Sequence, residues 1–110
     1  MIRLTVLYGH PTDPVAFDRY YREIHLPLAR KMVGLRGWTI GKCSSVVEGE
    51  SPAYYMIVGL YAESREAMEV ILASPEGQAC IADVAKFATG GATFLYDDEE
   101  VLIPYAQQLS

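Results

Sequence analysis

Segments with two different apolar periods alternate along this chain in the order β-α-β-β-α-β. Strand-type patterns, in which apolar residues fill every second position or a short continuous run, cover residues 2–8, 37–47, 53–61 and 92–96. Helix-type patterns, with apolar residues three or four positions apart, cover residues 14–33 and 65–89. This order predicts an α+β, ferredoxin-like fold: a four-stranded antiparallel sheet with its helices on one face. With 110 residues, the chain is expected to form one domain over residues 1–110.

Capping residues mark where the helices begin. Asp13-Pro14 and Ser74-Pro75 each combine an N-cap residue with proline at the first helical position, and Ser64 is a further N-cap candidate. The second helical region is therefore predicted as two pieces that meet at Ser74. Pro27 lies inside the first helix and removes a backbone donor, so we expect that helix to bend or loosen beside His25.

The predicted strand at residues 53–61 is apolar on both of its faces. Tyr54, Met56, Val58 and Leu60 share one phase, while Tyr55, Ile57 and Tyr61 share the other. Helices cover only one face of such a sheet, and an uncovered apolar face is unusual on a monomer. We therefore expect a second copy of the chain to cover the other face and form a homodimer.

Charge and cysteine usage exclude several classes of partner. The net charge of -5 argues against nucleic acids and anionic membranes, which require clustered cations. No apolar stretch approaches the roughly 20 residues needed to span a bilayer. Cys43 and Cys80 show no metal or redox spacing and no leader pattern is present, so free thiols and a cytoplasmic location are expected.

Motifs for covalent, phosphoryl and dinucleotide chemistry do not occur in the sequence. It contains no G-x-S-x-G, P-loop or G-x-G-x-x-G pattern. Neither His10 nor His25 has a carboxylate or cysteine at ligand spacing, and the acidic run at residues 97–100 is more typical of a solvated strand edge than of a cation site. We therefore predict neither a metal nor a cofactor.

The first helix carries the sequence FDRYYREIHLPL at residues 17–28, followed by Gly34-Leu35. This segment resembles the EthD family, named for an operon of ethyl tert-butyl ether degradation, and more loosely the dimeric α+β barrel superfamily. The resemblance extends over nearly the whole chain through the order of its elements. It implies a ferredoxin-like protomer whose sheet packs on that of a second protomer, with a cleft on each side.

The resemblance implies a range of activities rather than one reaction. The superfamily includes cyclases, isomerases, cofactor-free monooxygenases and haem-handling proteins, and fold alone does not choose among them. Its haem-handling branches use a histidine on a later helix, whereas this chain has neither His nor Tyr between Ser64 and Gly91. A small protein that binds an apolar or aromatic molecule, with or without proton-transfer catalysis, is therefore expected; the alternative is an accessory binding protein for an oxidase system.

His25 is the first candidate for a general base. An imidazole exchanges protons near neutral pH without large perturbation, and this one lies at the edge of the apolar helix stripe, one turn from Tyr21. A purely structural histidine is the alternative. His10 ends the first strand, where it either contributes to substrate binding or is an exposed turn residue before Pro11.

Aromatic residues on the predicted strands are candidates for the walls of a cleft. Candidate substrate-binding residues are Trp38, Tyr55 and Phe94, together with Tyr21 on the helix and His10, while core or dimer packing is the other reading for each aromatic. Arg19, Arg22 and Arg30 fall on the polar helix face, where solvated charges are favoured over anion clamps.

Overall fold

The computed structural model describes residues 1–105. Its strands are β1 (Ile2–Tyr8), β2 (Gly37–Lys42), β3 (Met56–Ala62) and β4 (Ala92–Asp98). Its helices are α1 (Pro14–Tyr20), a π-helical turn (Tyr21–His25), α2 (Leu26–Ala29), α3 (Arg65–Ala73) and α4 (Pro75–Phe87). The strands form one antiparallel sheet in the order β2-β3-β1-β4, which confirms the predicted ferredoxin-like α+β fold.

The core lies between the helices and one face of the sheet. Leu4 of β1 is opposite Leu60 of β3, and Val6 is opposite Val58, so these four buried side chains share the helix-covered face. The opposite phase carries Leu7, Ile57 and Leu95. Ile57 is 45% exposed and Leu95 is 51% exposed, so this second face is open and partly apolar.

The hairpin between β2 and β3 differs from the predicted strands at residues 37–47 and 53–61. β2 ends at Lys42 and β3 begins only at Met56. The Tyr55 ring contacts Phe17 at 5.2 Å between ring centroids, on the helix side of the sheet that Met56 also faces. Tyr54 lies outside the strand and is exposed, so the two tyrosines do not extend β3 as predicted.

The first helix begins as its capping residues predict. Asp13 accepts a hydrogen bond from the Ala16 N–H at 3.1 Å, and Pro14 occupies the first turn. The expected irregularity beside His25 takes the form of the π turn, in which the Leu26 N–H bonds the Tyr21 carbonyl. The helix ends at Ala29, earlier than the predicted limit at Gly34. Gly34 lies within the connection to β2 and has a φ of 108°.

The second helical region is two helices that meet at Ser74, as predicted. The Ser74 hydroxyl accepts from the Gly77 N–H at 3.1 Å and thereby caps α4. α4 then presents a buried stripe of Cys80, Asp83 and Phe87 to the first helix. No helix among residues 1–105 is long and apolar enough to cross a membrane.

Candidate functional site

A cavity of about 40 Å³ lies between the helices and the covered face of the sheet. Its walls are mostly aliphatic and aromatic, with His25 and Cys80 as the polar exceptions besides two tyrosines. The lining residues include Tyr21, His25, Trp38, Cys80 and Phe94. The volume accommodates a few water molecules, so the cavity as folded is smaller than an aromatic ring requires.

The imidazole of His25 is held in this cavity by a buried carboxylate. Its Nδ1 lies 3.0 Å from Oδ2 of Asp83, and the two residues are only 5% and 4% exposed. The other carboxylate oxygen, Oδ1, accepts a hydrogen bond from the Tyr20 hydroxyl at 2.7 Å. The π turn and α4 therefore meet through a Tyr20–Asp83–His25 network in which both carboxylate oxygens have donors.

The carboxylate of Asp83 stays ionised despite its burial. Desolvation raises its pKa, but hydrogen bonds from Tyr20 and His25, together with nearby positive charge, outweigh that effect and hold the pKa below its usual value. A carboxylate accepts and does not donate, so Nδ1 of His25 carries the proton in this pair. Whenever the imidazole is neutral, the lone pair is therefore on Nε2.

The second ring nitrogen of His25 faces a thiol. Sγ of Cys80 lies 3.7 Å from Nε2, at which distance the thiol is a weak donor to the imidazole. Burial, followed by the negative charge of Asp83, raises the pKa of Cys80 to about 11, so the thiol is protonated near neutral pH. Both Cys80 and the half-buried Cys43 are free thiols.

Aromatic rings enclose the imidazole. The Phe87 ring lies 4.7 Å and the Tyr21 ring 5.3 Å from the ring of His25, centroid to centroid. Burial raises the pKa of Tyr21 to about 12, which keeps its hydroxyl neutral. The indole N–H of Trp38 lowers the pKa of Tyr21 by less than burial raises it. This buried N–H does not meet hydrogen-bond geometry and has no hydrogen-bond partner among residues 1–105.

The structure brings four of the six predicted site residues to one cavity. His25, Tyr21, Trp38 and Phe94 line it, with Phe94 on the helix-covered face opposite Val6. His10 and Tyr55 do not line it.

His10 and Tyr55 lie together elsewhere. Their ring centroids are 6.1 Å apart, and His10 Nε2 lies 2.6 Å from the Pro52 carbonyl oxygen. The two histidines therefore do not face a shared space, and Nε2 of His10 is already paired with a carbonyl oxygen of the hairpin loop.

Asp83 and Tyr20 are the site residues that sequence reasoning missed. Asp83 lies between Cys80 and Phe87 at the three- and four-residue spacing of a buried helix stripe. A lone carboxylate in such a stripe indicates a buried partner, because burying an unpaired charge is costly. That signal was present in the sequence, although it does not name the partner.

The described residues contain no obvious metal centre. No group of three or more His, Cys, Asp and Glu side chains within residues 1–105 is arranged to hold an ion. The chemistry that these residues support is proton movement at Nε2 of His25, since the ring has a fixed orientation and the only donor to that nitrogen among residues 1–105 is the weak Cys80 thiol.

Comparison with known proteins identifies the family. Residues 9–91 match the EthD domain. The chain belongs to the EthD family. A relative from Rhodococcus erythropolis, an uncharacterized 11.0 kDa protein in the thcB-thcC intergenic region, is 44% identical over 104 residues, which cover 94% of this chain and 100% of that protein.

Solved structures extend the likeness to three dimensions. The crystal structure of an EthD family protein from Bacillus halodurans superimposes with a TM-score of 0.84 at 30% identity, covering 91% of this chain and 99% of that chain. A dimeric ferredoxin-like protein of unknown function from Thermobifida fusca has a TM-score of 0.65 at 14% identity, covering 87% of this chain and 88% of that chain. The latter likeness shows the fold alone.

Proposed function

We propose that this EthD protein binds a small apolar or aromatic molecule in the cavity and that His25 transfers a proton to or from it. The observation that carries the proposal is the buried His25–Asp83 pair at 3.0 Å, which orients the basic Nε2 in a cavity wall. The reaction class is cofactor-independent, such as isomerisation, cyclisation or oxygenation of an activated phenol.

The pair suits a base that becomes charged as it acts. When Nε2 removes a proton from an acidic C–H or O–H of the ligand, the imidazole becomes a cation beside the Asp83 carboxylate, which stabilises it. Returning that proton to another atom of the ligand completes an isomerisation and restores neutral His25. The surrounding rings of Tyr21 and Phe87 limit the access of bulk water to the imidazole, so its proton exchanges with solvent only when the cavity opens.

A ring-sized ligand requires the cavity to open. Trp38 is partly buried and Phe94 is 48% exposed, so both can move outward at lower cost than the fully packed residues of the core. Trp38 is also the only tryptophan in the chain. Its fluorescence therefore reports occupancy of the cavity directly.

The test measures proton transfer on an enolisable aromatic ketone. In D2O, exchange of the α-hydrogens of 2-tetralone is followed by NMR with the wild type, His25→Gln and His10→Gln, and binding is followed by Trp38 fluorescence. The expected result is acceleration by the wild type and by His10→Gln, with a rate about 10²–10⁴ times lower for His25→Gln at similar affinity. Equal exchange by all three proteins would overturn the catalytic proposal.

A non-catalytic binding role is the second candidate. It is favoured by the Cys80 thiol, which takes up the position beside Nε2 where a reacting proton would have to lie. A binding or accessory protein would show Trp38 quenching by aromatic ligands but no difference in exchange rate between the wild type and His25→Gln. The fluorescence and exchange measurements therefore separate the two functions.

We propose in addition that the open sheet face pairs with a second copy. Ile57 and Leu95 are exposed on a face that the chain's own helices leave uncovered. Sedimentation velocity at micromolar concentration is expected to show a dimer, and Ile57→Lys is expected to shift it towards the monomer. A well-folded wild-type monomer would contradict this pairing.

A further inference from the structure

A charged groove runs along the outer edge of the sheet, between β2 and the first helix. Two adjoining depressions of about 110 and 190 Å³ form it, and both are lined by Arg22 and Ile40. We call this surface the edge groove. Its floor includes Leu26, Ile40 and Trp38, and its charged residues are Asp18, Arg22, Arg30 and Lys42.

The charge of the edge groove is opposite to that of the whole chain. Lys42 is matched by Asp18, whose Oδ2 lies 2.7 Å from Nζ. The positive charge of Arg22 also lowers the pKa of Asp18. Neither Arg22 nor Arg30, however, has a carboxylate within salt-bridge distance among residues 1–105. Two uncompensated guanidinium groups thus face one groove in a chain of net charge -5.

The edge groove and the cavity share walls. Tyr21 lines both the cavity and the deeper part of the groove, and Trp38 lines both the cavity and its outer part. The guanidinium carbon of Arg30 lies 5.7 Å from the centre of the Trp38 ring, so this cation is positioned against the wall itself. One molecule can therefore reach the apolar cavity and the two arginines together if the Trp38 wall moves.

We propose that the ligand of this protein is an organic acid with an apolar or aromatic body, and that Arg22 and Arg30 bind its carboxylate at the cavity mouth. The inference rests on the proposed function and narrows its substrate class. A guanidinium presents paired N–H donors that match the two oxygens of a carboxylate, which an ammonium does not. The apolar floor between the two arginines selects a ligand with an apolar body over a fully hydrated anion such as free phosphate.

Arg22 and Arg30 differ in this proposal from their sequence-based interpretation. All three helix arginines were expected to be solvated charges, and exposure alone is consistent with that for each. What distinguishes Arg22 and Arg30 is their common place on the edge groove, whereas Arg19 does not line it. Arg19→Gln is therefore the matched control.

The test compares acids with their neutral amides by isothermal titration calorimetry. Three pairs vary the body: benzoate with benzamide, 2-naphthoate with 2-naphthamide, and decanoate with decanamide. The wild type is expected to bind at least one acid about tenfold or more tightly than its amide. Arg22→Gln and Arg30→Gln should each remove most of that preference, Arg19→Gln should keep it, and amide affinity should stay unchanged throughout.

Arg30→Lys separates the effect of the positive charge from that of the paired N–H donors. It retains a cation near Trp38 but not the paired donors, so an intermediate preference for the acid is expected. Equal affinity for acid and amide in the wild type, or an unchanged preference in both Arg22→Gln and Arg30→Gln, would overturn the carboxylate site. In that case amide binding with Trp38 quenching still supports the proposed function, whereas failure of all three pairs to bind overturns both.

Discussion

Two aspartates in this molecule have nearly the same partners in very different surroundings. Asp83 accepts from the Tyr20 hydroxyl at 2.7 Å and faces His25 Nδ1 at 3.0 Å, in the interior. Asp18 accepts from the Tyr55 hydroxyl at 2.8 Å and from Lys42 Nζ at 2.7 Å, at the surface. Each carboxylate joins one tyrosine and one nitrogen donor across separate elements of the fold.

The difference between them is one of solvent rather than of geometry. The side chains of Asp83 and His25 are 5% and 6% exposed, whereas those of Asp18 and Lys42 are 41% and 53% exposed. Water competes for the donors of Asp18 and screens its charge, but it does not reach Asp83. The same arrangement is therefore an exposed surface contact at Asp18 and a buried link between two elements of the fold at Asp83.

The largest expected effect is on stability when each carboxylate is replaced by an amide. Asp83→Asn should lower the free energy of unfolding by about 2 kcal/mol, because the amide has one acceptor oxygen where the carboxylate has two, and either Tyr20 or His25 then loses its buried acceptor. Asp18→Asn should cost less than about 1 kcal/mol, since the pair is exposed. Urea denaturation measures both, and equal losses would mean that burial does not distinguish the two sites.

Acid should remove the contribution of Asp83 in a defined range of pH. Its folded-state pKa is lowered, so the stabilisation is complete above the ordinary carboxyl pKa of about 4 and is lost as pH falls through the folded-state value. The stability difference between the wild type and Asp83→Asn should therefore decline as pH falls below about 4. A difference that grows below about pH 4 would contradict this assignment.

Salt should act on the surface pair alone. At 1 M NaCl the Debye length is about 3 Å, so the attraction between Lys42 and Asp18 is largely screened. The cost of Asp18→Asn should fall towards zero between 0.05 and 1 M NaCl, while that of Asp83→Asn stays the same. Thermal unfolding of the three proteins at both salt concentrations provides the comparison.

Removal of the tyrosine hydroxyls should give the smallest difference in stability between the interior and the surface site. Tyr20→Phe removes a donor to the interior carboxylate, and Tyr55→Phe removes one to the surface carboxylate, without changing either ring. We expect a measurable loss of stability for Tyr20→Phe and a smaller one for Tyr55→Phe, where water replaces the hydroxyl. A larger loss for Tyr55→Phe would show that the loop, rather than burial, decides the outcome.

The fold could be predicted from the sequence because its periodicities are local. Alternation in Ile2–Tyr8 and the caps at Asp13, Ser64 and Ser74 act within a few residues, and each lies where it was expected. The predicted ends of the two hairpin strands were wrong, and at this end of β3 the Tyr55 hydroxyl donates to Asp18 on another element. That contact joins residues 37 positions apart, so no local pattern reports it.

Only part of the candidate site could be predicted, because only part of it depends on local signals. His25 was singled out because its own helix carries an apolar stripe and Pro27, both of which are local signals. Its partner Asp83 is 58 residues away, and their pairing depends on how α4 packs against the π turn. A single sequence shows the unusual carboxylate but does not show which residue it pairs with.

The π turn has a consequence for how this helix can evolve. A π turn holds one residue more than the α-helical turn it replaces, and the helix on its far side is rotated by roughly 100° compared with an uninterrupted helix. Deleting either of the exposed residues 23 and 24 would restore the regular helix and turn the imidazole of His25 away from Asp83. The position of His25 is thus set by the length of the segment as well as by its side chains, and a single-codon deletion would displace the imidazole while leaving every residue of the candidate site in the gene.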